Sequence, residues 1–409
     1  MASIILHIDM NSYFASCEQQ ANPFLRGRPV GVCAYLSDNG CIIASSIEAK
    51  EKGVKTGCRV KEARQLCPDI FLIENEPAKY RSITKKIFAI LADYTDKLEP
   101  YSIDEAFLDL TGWVKSFSQA EKKALEIKKR IRDEVGDWLK ASVGLSYTRW
   151  LAKFASDIAK KDSILIIKKN NLNKFLKRPL TDAWGINFSL KKRLNTLGIF
   201  NLLDLKNYPA ANLIQALGKP GYYLWANVNG LPIEKVKKQR EPKSVGHSFC
   251  LYKKSKDLNY LSSVLLKLCE KTGRRLRLIK KEAYTIRFGL RFKNGGGLHK
   301  SKRLKKGLFT TKSIYKIASK IMEGVFFYES VSFLAVSVFR LRPISRQMSL
   351  FDDNLKEKKI SLAMDKINDQ YGQYLVYWGN MHGTDKVARD RIGFRKTVNI
   401  NQEGEKLLN

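Results

Sequence analysis

The sequence predicts an α+β protein of several domains. Its 409 residues, 44% of them hydrophobic, suffice for a sizeable core and more than one domain. Residues 244–342 predict the element order β-α-β-β-α-β, a split unit of the ferredoxin-like type. Short strands at residues 3–8, 101–112 and 141–146, separated by helical patterns, predict a further mixed unit in the first half of the chain.

The strand predicted at residues 101–112 contains two adjacent carboxylates, Asp104 and Glu105. An ionised carboxylate in an apolar setting is unfavourable unless a cation binds it, and a second one adds repulsion. A divalent cation is one explanation, and a hairpin tip with both groups in water is the other. Neighbours on a regular strand point to opposite faces, so the two can bind one metal only near a turn or bulge.

A third carboxylate, Asp9, follows the short strand predicted at residues 3–8. If the two strand ends meet, three carboxylates supply oxygen ligands of the kind that Mg2+ prefers. Two such ions a few ångströms apart stabilise the attacking and leaving oxygens of a phosphoryl transfer. The carboxylates therefore predict two-metal nucleotidyl transfer.

Three motifs in order carry a family resemblance: Asp9-Met10-Asn11-Ser12-Tyr13-Phe14-Ala15, then Glu48-Ala49-Lys50 with Gly53-Val54, then Ser102-Ile103-Asp104-Glu105-Ala106-Phe107-Leu108-Asp109. In this order and spacing they resemble the Y-family translesion DNA polymerases, with similarity over residues 1–350. The resemblance implies a right-hand polymerase with a ferredoxin-like palm, small fingers, a helical thumb with a helix-hairpin-helix, and a little finger.

The implied domains follow the chain in order. They are the palm (1–10 and 76–165), fingers (11–75), thumb (166–235), linker (236–243), little finger (244–342) and a tail (343–409).

The resemblance also implies the roles of individual residues. Asp9, Asp104 and Glu105 would be the catalytic metal ligands with the Met10 carbonyl, holding two Mg2+ ions for which Mn2+ can substitute. The residues implied in nucleotide binding are Phe14 (the steric gate against a ribose 2'-OH), Tyr13, Ser45, Lys50 and Lys160. Many relatives carry Tyr and Arg where this chain has Ile47 and Lys50, and the Glu-Ala-Lys variant resembles the SOS-mutagenesis branch more than the DNA polymerase IV branch.

A helix predicted at residues 147–160 places Arg149, Lys153 and Lys160 on one face. That face either meets phosphates or is a solvated basic stripe. The resemblance favours a triphosphate contact for Lys160.

The formal net charge of +34, from 74 Lys and Arg against 40 Asp and Glu, predicts a polyanionic partner. Nucleic acid is the first candidate and an anionic membrane surface the second. The segment 180–199 resembles a helix-hairpin-helix, and 13 Lys or Arg against one acidic residue lie between Arg274 and Lys306. The predicted DNA contacts are Gly185, Asn187, Lys191, Arg274, Arg275, Arg291, Lys302 and Arg303.

After the little finger, Gln347-Met348-Ser349-Leu350-Phe351 resembles the peptide that binds the bacterial sliding clamp, through Gln347, Leu350 and Phe351. The predicted partners are primer-template DNA, dNTPs and the clamp; a need for SOS accessory subunits is open, and no membrane partner is predicted. Seven cysteines without a Cys-x-x-Cys pair, no leader and no long apolar run predict a soluble cytoplasmic protein with reduced thiols.

The predicted function is template-directed, error-prone translesion DNA synthesis by a Y-family polymerase. No second, exonuclease-like set of carboxylates is found, so proofreading is not expected. A non-catalytic relative bridging the clamp and repair proteins is the first alternative, and a plain DNA-binding protein driven by charge is the second.

Overall fold

The structure, a computed structural model, describes residues 3–237, 242–344, 354–384, 387–389 and 391. It contains two compact units, described separately below. The first comprises the described residues up to 237 with Arg391, and the second comprises residues 242–389.

The first unit contains eight strands and eleven α-helices in its described part. The strands are β1 (Ile5–Met10), β2 (Val30–Cys33), β3 (Ile42–Ser45), β4 (Phe71–Glu74), β5 (Leu98–Pro100), β6 (Glu105–Asp109), β7 (Ala141–Ser146) and β8 (Ile164–Ile167). The helices are α1 (Tyr13–Ala21), α2 (Ile47–Glu51), α3 (Val60–Leu66), α4 (Pro77–Ala92), α5 (Phe117–Arg130), α6 (Arg149–Ile158), α7 (Leu172–Leu176), α8 (Phe188–Asn195), α9 (Leu202–Asn207), α10 (Ala210–Leu217) and α11 (Lys219–Val228).

A five-stranded sheet in the order β5-β6-β1-β7-β8 forms the centre of this unit. All neighbouring strands are antiparallel except β7 and β8, which are parallel. The central strand β1 is buried on both faces: Leu6 and Ile8 lie in one core cluster, and Ile5 packs with Phe107 in another. β8 continues two residues past the predicted palm boundary at residue 165.

Helix α6 lies directly on this sheet, against β1 and β7. The close approach requires glycine at position 144, because an added Cβ would lie 2.0 Å from the Ala152 carbonyl oxygen and 2.4 Å from Ser156 N. The contact brings side chains of α6 next to the end of β1.

The small sheet of residues 30–74 has the order β3-β2-β4. β2 and β3 pair antiparallel. The third strand, β4, pairs parallel with β2 and was not predicted. α2 begins at the Ser46 N-cap, whose hydroxyl accepts from Ala49 N.

Five short helices, α7 to α11, occupy residues 172–228. A single 3-10 turn, Leu180–Asp182, precedes the predicted helix-hairpin-helix turn. Gly185 has φ +95°, a left-handed conformation that favours glycine. Asn187 is the N-cap of α8 and accepts from Leu190 N at 2.8 Å, so it suits this position as a Ser would.

The second unit has four strands and three α-helices in its described part. They are β9 (Ser244–Ser255), α12 (Leu258–Leu278), β10 (Lys281–Phe292), β11 (Gly297–Leu308), α13 (Thr311–Glu323), β12 (Val331–Pro343) and α14 (Asn354–Tyr371). The antiparallel sheet has the order β11-β10-β12-β9. One strand lies between the two strands joined through each helix, so the predicted β-α-β-β-α-β split unit is confirmed.

Residues 354–384 and 387–389, here called the C-terminal segment, cover the outer side of α12. Four basic side chains of α12 are buried there, each no more than 5% exposed: Lys267, Lys271, Arg274 and Arg277. Arg277 Nε donates to Asp365 Oδ2 at 2.5 Å, and Lys271 Nζ donates to the Ala388 carbonyl at 2.7 Å. The C-terminal segment is thus part of this unit's core.

Across the described ranges, every helix is too short or too polar to cross a membrane.

Candidate active site

Asp9, Asp104 and Glu105 lie together at one end of the central sheet. Asp9 and Glu105 are register partners on antiparallel β1 and β6, so their side chains share a face. Asp104 precedes β6 in the bend that joins it to β5, and Met10 N donates to its carbonyl at 2.9 Å. The two adjacent carboxylates are therefore beside a turn, the condition for sharing a cation.

Burial and mutual repulsion raise the pKa values of two of these carboxyls. Burial, then the charges of Asp104 and Glu105, raises the pKa of Asp9 to about 8. Burial also raises the pKa of Asp104, although a hydrogen bond with Ser102 opposes the rise. Without a cation, at least one proton is therefore needed to relieve this cluster.

Glu105 has a different environment because it contacts a cationic side chain. Its Oε2 accepts from Lys153 Nζ at 2.5 Å and lies 3.3 Å from His7 Nε2. Burial acts to raise the pKa of Glu105, but His7 and Lys153 outweigh it and lower the value to about 2. Burial lowers the pKa of His7 to about 4, so this ring is neutral near pH 7.

The donor set fits a divalent cation only in part in this arrangement. Asp9 and Asp104 repel each other without a counter-ion, and such oxygen pairs are ligands that Mg2+ takes. Glu105 is occupied by Lys153, and in the described ranges no three His, Cys, Asp or Glu side chains are placed to hold a metal together. Met10, the other predicted ligand, ends β1 with its side chain buried.

For Arg149 and Lys153, neither interpretation of the predicted basic face of α6 is correct. Arg149 and Lys153 are only 5% and 7% exposed, so they neither meet solvent nor are free for phosphates. Arg149 makes two hydrogen bonds to Glu99, at 2.7 and 3.0 Å. Lys160 lies beyond the end of α6 and is exposed. Helical spacing identified side chains on one face but not the acidic groups covering it.

The cationic side chain of Lys50 lies near the carboxylates. Lys50 Nζ donates to Ser12 Oγ at 2.7 Å. Burial and the nearby charge of Lys161 lower the pKa of Lys50, whereas Asp9 acts to raise it. Lys50, which lies near both Lys161 and Asp9, belongs to a region where a triphosphate would be favoured. Lys161 was missed by the sequence analysis, which considered its neighbour Lys160.

Asn11 connects this region to the loop after α6, and it was also missed. Its Nδ2 donates to Ser142 Oγ at 2.9 Å, and its Oδ1 accepts from Asp162 N at 2.8 Å. Ser142 Oγ also bonds the Lys160 carbonyl at 3.2 Å. A buried Asn directly after a strand end was the available signal. Asn11 positions the loop that carries Lys160 and Lys161.

The other predicted nucleotide contacts differ in their surroundings. The Tyr13 hydroxyl is buried, donates to the Tyr80 carbonyl at 2.8 Å and lies 2.7 Å from Thr84 Oγ1, so this side chain is not available to a nucleotide. Phe14 is 9% exposed with its ring 4.7 Å from that of Tyr80. Ser45 Oγ is buried and has no hydrogen-bond partner among the described atoms, so a polar ligand could satisfy it.

The raised pKa of Asp9 predicts a pH dependence for the metal-free protein. Between about pH 4 and 8 the folded state retains a proton that the unfolded state, with its ordinary value of 3.8, has released. This stabilisation is complete below about pH 4 and is lost as the pH rises through 8. Urea unfolding in chelator at several pH values measures how the free energy of unfolding changes with pH. Asp9→Asn should lack the part of this slope that Asp9 contributes. Equal slopes for the two proteins would contradict the assignment.

Comparison with known proteins identifies the family. Residues 8–157 match the model of the impB/mucB/samB family, and residues 242–350 match that of its C-terminal domain. The chain belongs to the impB/mucB/samB family. A DNA polymerase IV of Pelotomaculum thermopropionicum is 30% identical over 399 residues, covering 96% of this chain and 98% of the relative. One of Bacillus velezensis is 32% identical over 385 residues, covering 92% of each.

Solved structures of Y-family DNA polymerases share the fold of this impB/mucB/samB protein. A Y-family polymerase chimera of Dbh and Dpo4 is 25% identical with a TM-score of 0.76, covering 83% of this chain and all of that one. An insertion ternary complex of Dbh DNA polymerase has the same identity and coverage with a TM-score of 0.60. The predicted Y-family resemblance and fold class are confirmed. The relatives from Pelotomaculum thermopropionicum and Bacillus velezensis are named DNA polymerase IV, so the resemblance to the SOS-mutagenesis branch stays a prediction.

The register of the second unit separates the predicted DNA contacts of this impB/mucB/samB protein. Ile286 of β10 faces α12 in the core and pairs with Lys302, whereas Thr285 pairs with Arg303. Lys302 is therefore on the helix side, and Arg303 is on the opposite face, here called the open face. Arg291 is also on the open face, with its guanidinium 5.2 Å from the Phe333 ring.

Two predicted DNA contacts on α12, Arg274 and Arg275, interact with other residues of this unit. Arg274 is 4% exposed and forms an ion pair with Asp369 of the C-terminal segment. Arg275 is half-buried, and its Nη1 donates to the Gly246 carbonyl at 3.0 Å. Both therefore stabilise the unit from within. In the first unit, Lys191 is half-exposed in the first turn of α8, compatible with a phosphate contact.

Proposed function

We propose that this protein extends a DNA primer on a template with dNTPs, by metal-dependent nucleotidyl transfer and without proofreading. The observation that carries the proposal is the meeting of Asp9, Asp104 and Glu105 at one strand end, beside Lys50 and Lys161. Carboxylates for cations next to lysines for phosphates are what transfer of a nucleotidyl group requires. Bypass of damaged bases is proposed by analogy with the family.

Asp9 and Asp104, with the Met10 carbonyl, would hold two Mg2+ ions, for which Mn2+ could substitute. When bound, the ions supply Lewis-acid stabilisation of the attacking and leaving oxygens. Lys50 and Lys161 would orient the triphosphate, and Ser12, as a partner of Lys50, would hold that lysine in place.

The test is extension of a labelled primer on a DNA template by the purified protein with four dNTPs and Mg2+. We expect template-dependent extension that chelator abolishes and Mn2+ restores. No extension with either ion, by a folded protein that binds the primer-template, would overturn the proposal and favour the non-catalytic alternative. A template with an abasic site then tests the bypass of damage.

Replacing Phe14 with Ala should weaken discrimination against ribonucleotides. The ring begins α1, directly after the strand that carries Asp9, and it keeps a small exposed edge. Without a ring to exclude a 2'-OH, we expect the ratio of kcat/KM for dNTP to kcat/KM for rNTP to fall by about a hundredfold. This corresponds to about 2.8 kcal/mol, at about 1.4 kcal/mol for each factor of ten. Single-turnover insertion measures this ratio. Phe24→Ala is the control, because Phe24 follows α1 in the chain and its side chain is 82% exposed. Unchanged sugar selection would exclude Phe14 as the gate.

Neutralising Arg303 should weaken DNA binding more than neutralising its neighbour Lys302. The two exposed side chains differ in the face of the sheet they occupy. If the open face lies along a duplex, Arg303→Ala should reduce the slope of log K against log salt by about one. Fluorescence anisotropy with a primer-template at several salt concentrations measures the slope. A larger effect of Lys302→Ala would place the DNA on the other side.

We infer that the sliding clamp and SOS accessory subunits are further candidate partners. The clamp motif of Gln347, Leu350 and Phe351 lies outside the described residues, so its support is the sequence alone.

A further inference from the structure

One ammonium group is the counter-ion of the candidate metal ligands. Lys153 Nζ and Glu105 Oε2 are 2.5 Å apart, and the two side chains are 9% and 11% exposed. Asp9 is the register partner of Glu105, and the charge of Lys153 acts on it as well. The positive charge that a bound metal ion would bring to these carboxylates is therefore supplied by a side chain of the protein.

The packing of α6 on the sheet holds Lys153 in this position. α6 rests on β1 and β7, where Gly144 permits the close approach. One turn further, Asp157 Oδ1 accepts from Lys153 Nζ at 3.1 Å. The ammonium thus has one partner on its own helix, Asp157, and one on the sheet, Glu105. The contact with Asp157 does not depend on the contact with Glu105.

We propose that Lys153 is a positioning residue that controls when Glu105 becomes a metal ligand. While no metal is bound, its ammonium compensates Glu105 and Asp9; when a divalent cation enters, Lys153 gives up the Glu105 oxygen and keeps Asp157. The inference rests on the proposed function, because the cation is the one that nucleotidyl transfer needs. The ammonium and the metal compete for one carboxylate, so the metal binds more weakly than the number of carboxylates suggests. Phosphate oxygens of an incoming nucleotide would supply further ligands to the metal.

Competition predicts opposite effects of Lys153→Met on stability and on metal affinity. Without the ammonium, the metal-free protein loses the compensation of Glu105 and becomes less stable. The same change frees the Glu105 carboxylate to bind the metal, so metal affinity should rise by about tenfold. A purely structural role of Lys153 would lower stability without raising metal affinity.

The experiment is binding of Mn2+ alone to the full chain without DNA, followed by the electron paramagnetic resonance signal of free Mn2+. Wild type is compared with Lys153→Met, Glu105→Gln and the double variant. We expect tighter binding by Lys153→Met in the wild-type background and no difference between Glu105→Gln and the double variant. Lys123→Met, which removes an exposed lysine 2.9 Å from Glu126, is the matched control and should leave affinity unchanged.

Three results would overturn the inference. Unchanged or weaker Mn2+ binding by Lys153→Met excludes competition. An equal gain in the Glu105→Gln background shows that Lys153 does not act through Glu105. Equal Mn2+ binding by wild type and Asp104→Asn removes the metal site itself, and with it the proposed function. If Lys153→Met does not fold, Lys153→Gln is measured instead, since its amide can still hydrogen-bond Glu105 without the charge.

Discussion

Primer extension by Asp104→Asn should fall by about a thousandfold or more, because the substitution removes the charge of a proposed metal ligand just before β6. Asn keeps the size of the side chain and can retain the hydrogen bond with Ser102. DNA affinity should remain within about twofold, since the proposed phosphate contacts are elsewhere. Single-turnover extension at saturating Mg2+, with binding measured by anisotropy, separates the two effects.

The same substitution should not destabilise the metal-free protein. Asp104 is half-buried and its charge raises the pKa of Asp9, so removing that charge relieves repulsion in the folded state. We therefore expect a Tm in chelator equal to or above that of wild type. Loss of activity with retained stability would assign Asp104 to the chemistry, whereas a lower Tm would indicate a structural role.

Asp109→Asn is the matched control, because Asp109 ends the same strand and its Oδ1 accepts from Thr111 N at 3.0 Å. It should leave extension within about twofold, as expected of a carboxylate outside the site. Extension by Asp104→Asn at a level close to that of this control would exclude Asp104 as a metal ligand.

Arg149→Met should have the largest effect on stability, a loss of about 3–5 kcal/mol in the free energy of unfolding. Arg149 makes two hydrogen bonds to Glu99, and its guanidinium carbon lies 4.0 Å from the Phe107 ring centre. Methionine replaces the aliphatic part but leaves the Glu99 carboxylate, whose side chain is 13% exposed, without its main partner. Urea unfolding followed by circular dichroism measures the loss.

An exposed pair provides the control for Arg149. Arg178 and Asp182 are 3.0 Å apart with 45% and 31% exposed side chains, so Arg178→Met should cost less than about 1 kcal/mol. Replacing Glu99 with Met as well as Arg149 should recover most of the loss, because the only charge left without its partner, Glu234, is 49% exposed. A loss within about 1 kcal/mol for Arg149→Met alone would show that Glu99 finds another partner or water.

Local patterns in the sequence predicted much of the fold. The strand at 141–146 has the predicted bounds and residues 244–342 have the predicted order of elements, because period-two and period-3.6 patterns depend on which residues face a core. β4 was missed, since its residues are partly exposed and only pairing with β2 makes them a strand. In the candidate site, the strand-end position of Asp9 and the turn before Glu105 were also recognisable locally.

By itself, the sequence determined the family, the order of elements and the three carboxylates at strand ends, because these depend on residues close together in the chain. Only the tertiary structure decided the partners of the charges. Lys153 faces Glu105, Arg149 faces Glu99 and Arg274 faces Asp369, across separations of 48, 50 and 95 residues. Helical spacing shows which basic side chains share a face, but a face becomes an internal ion pair or a phosphate-binding surface according to what packs against it.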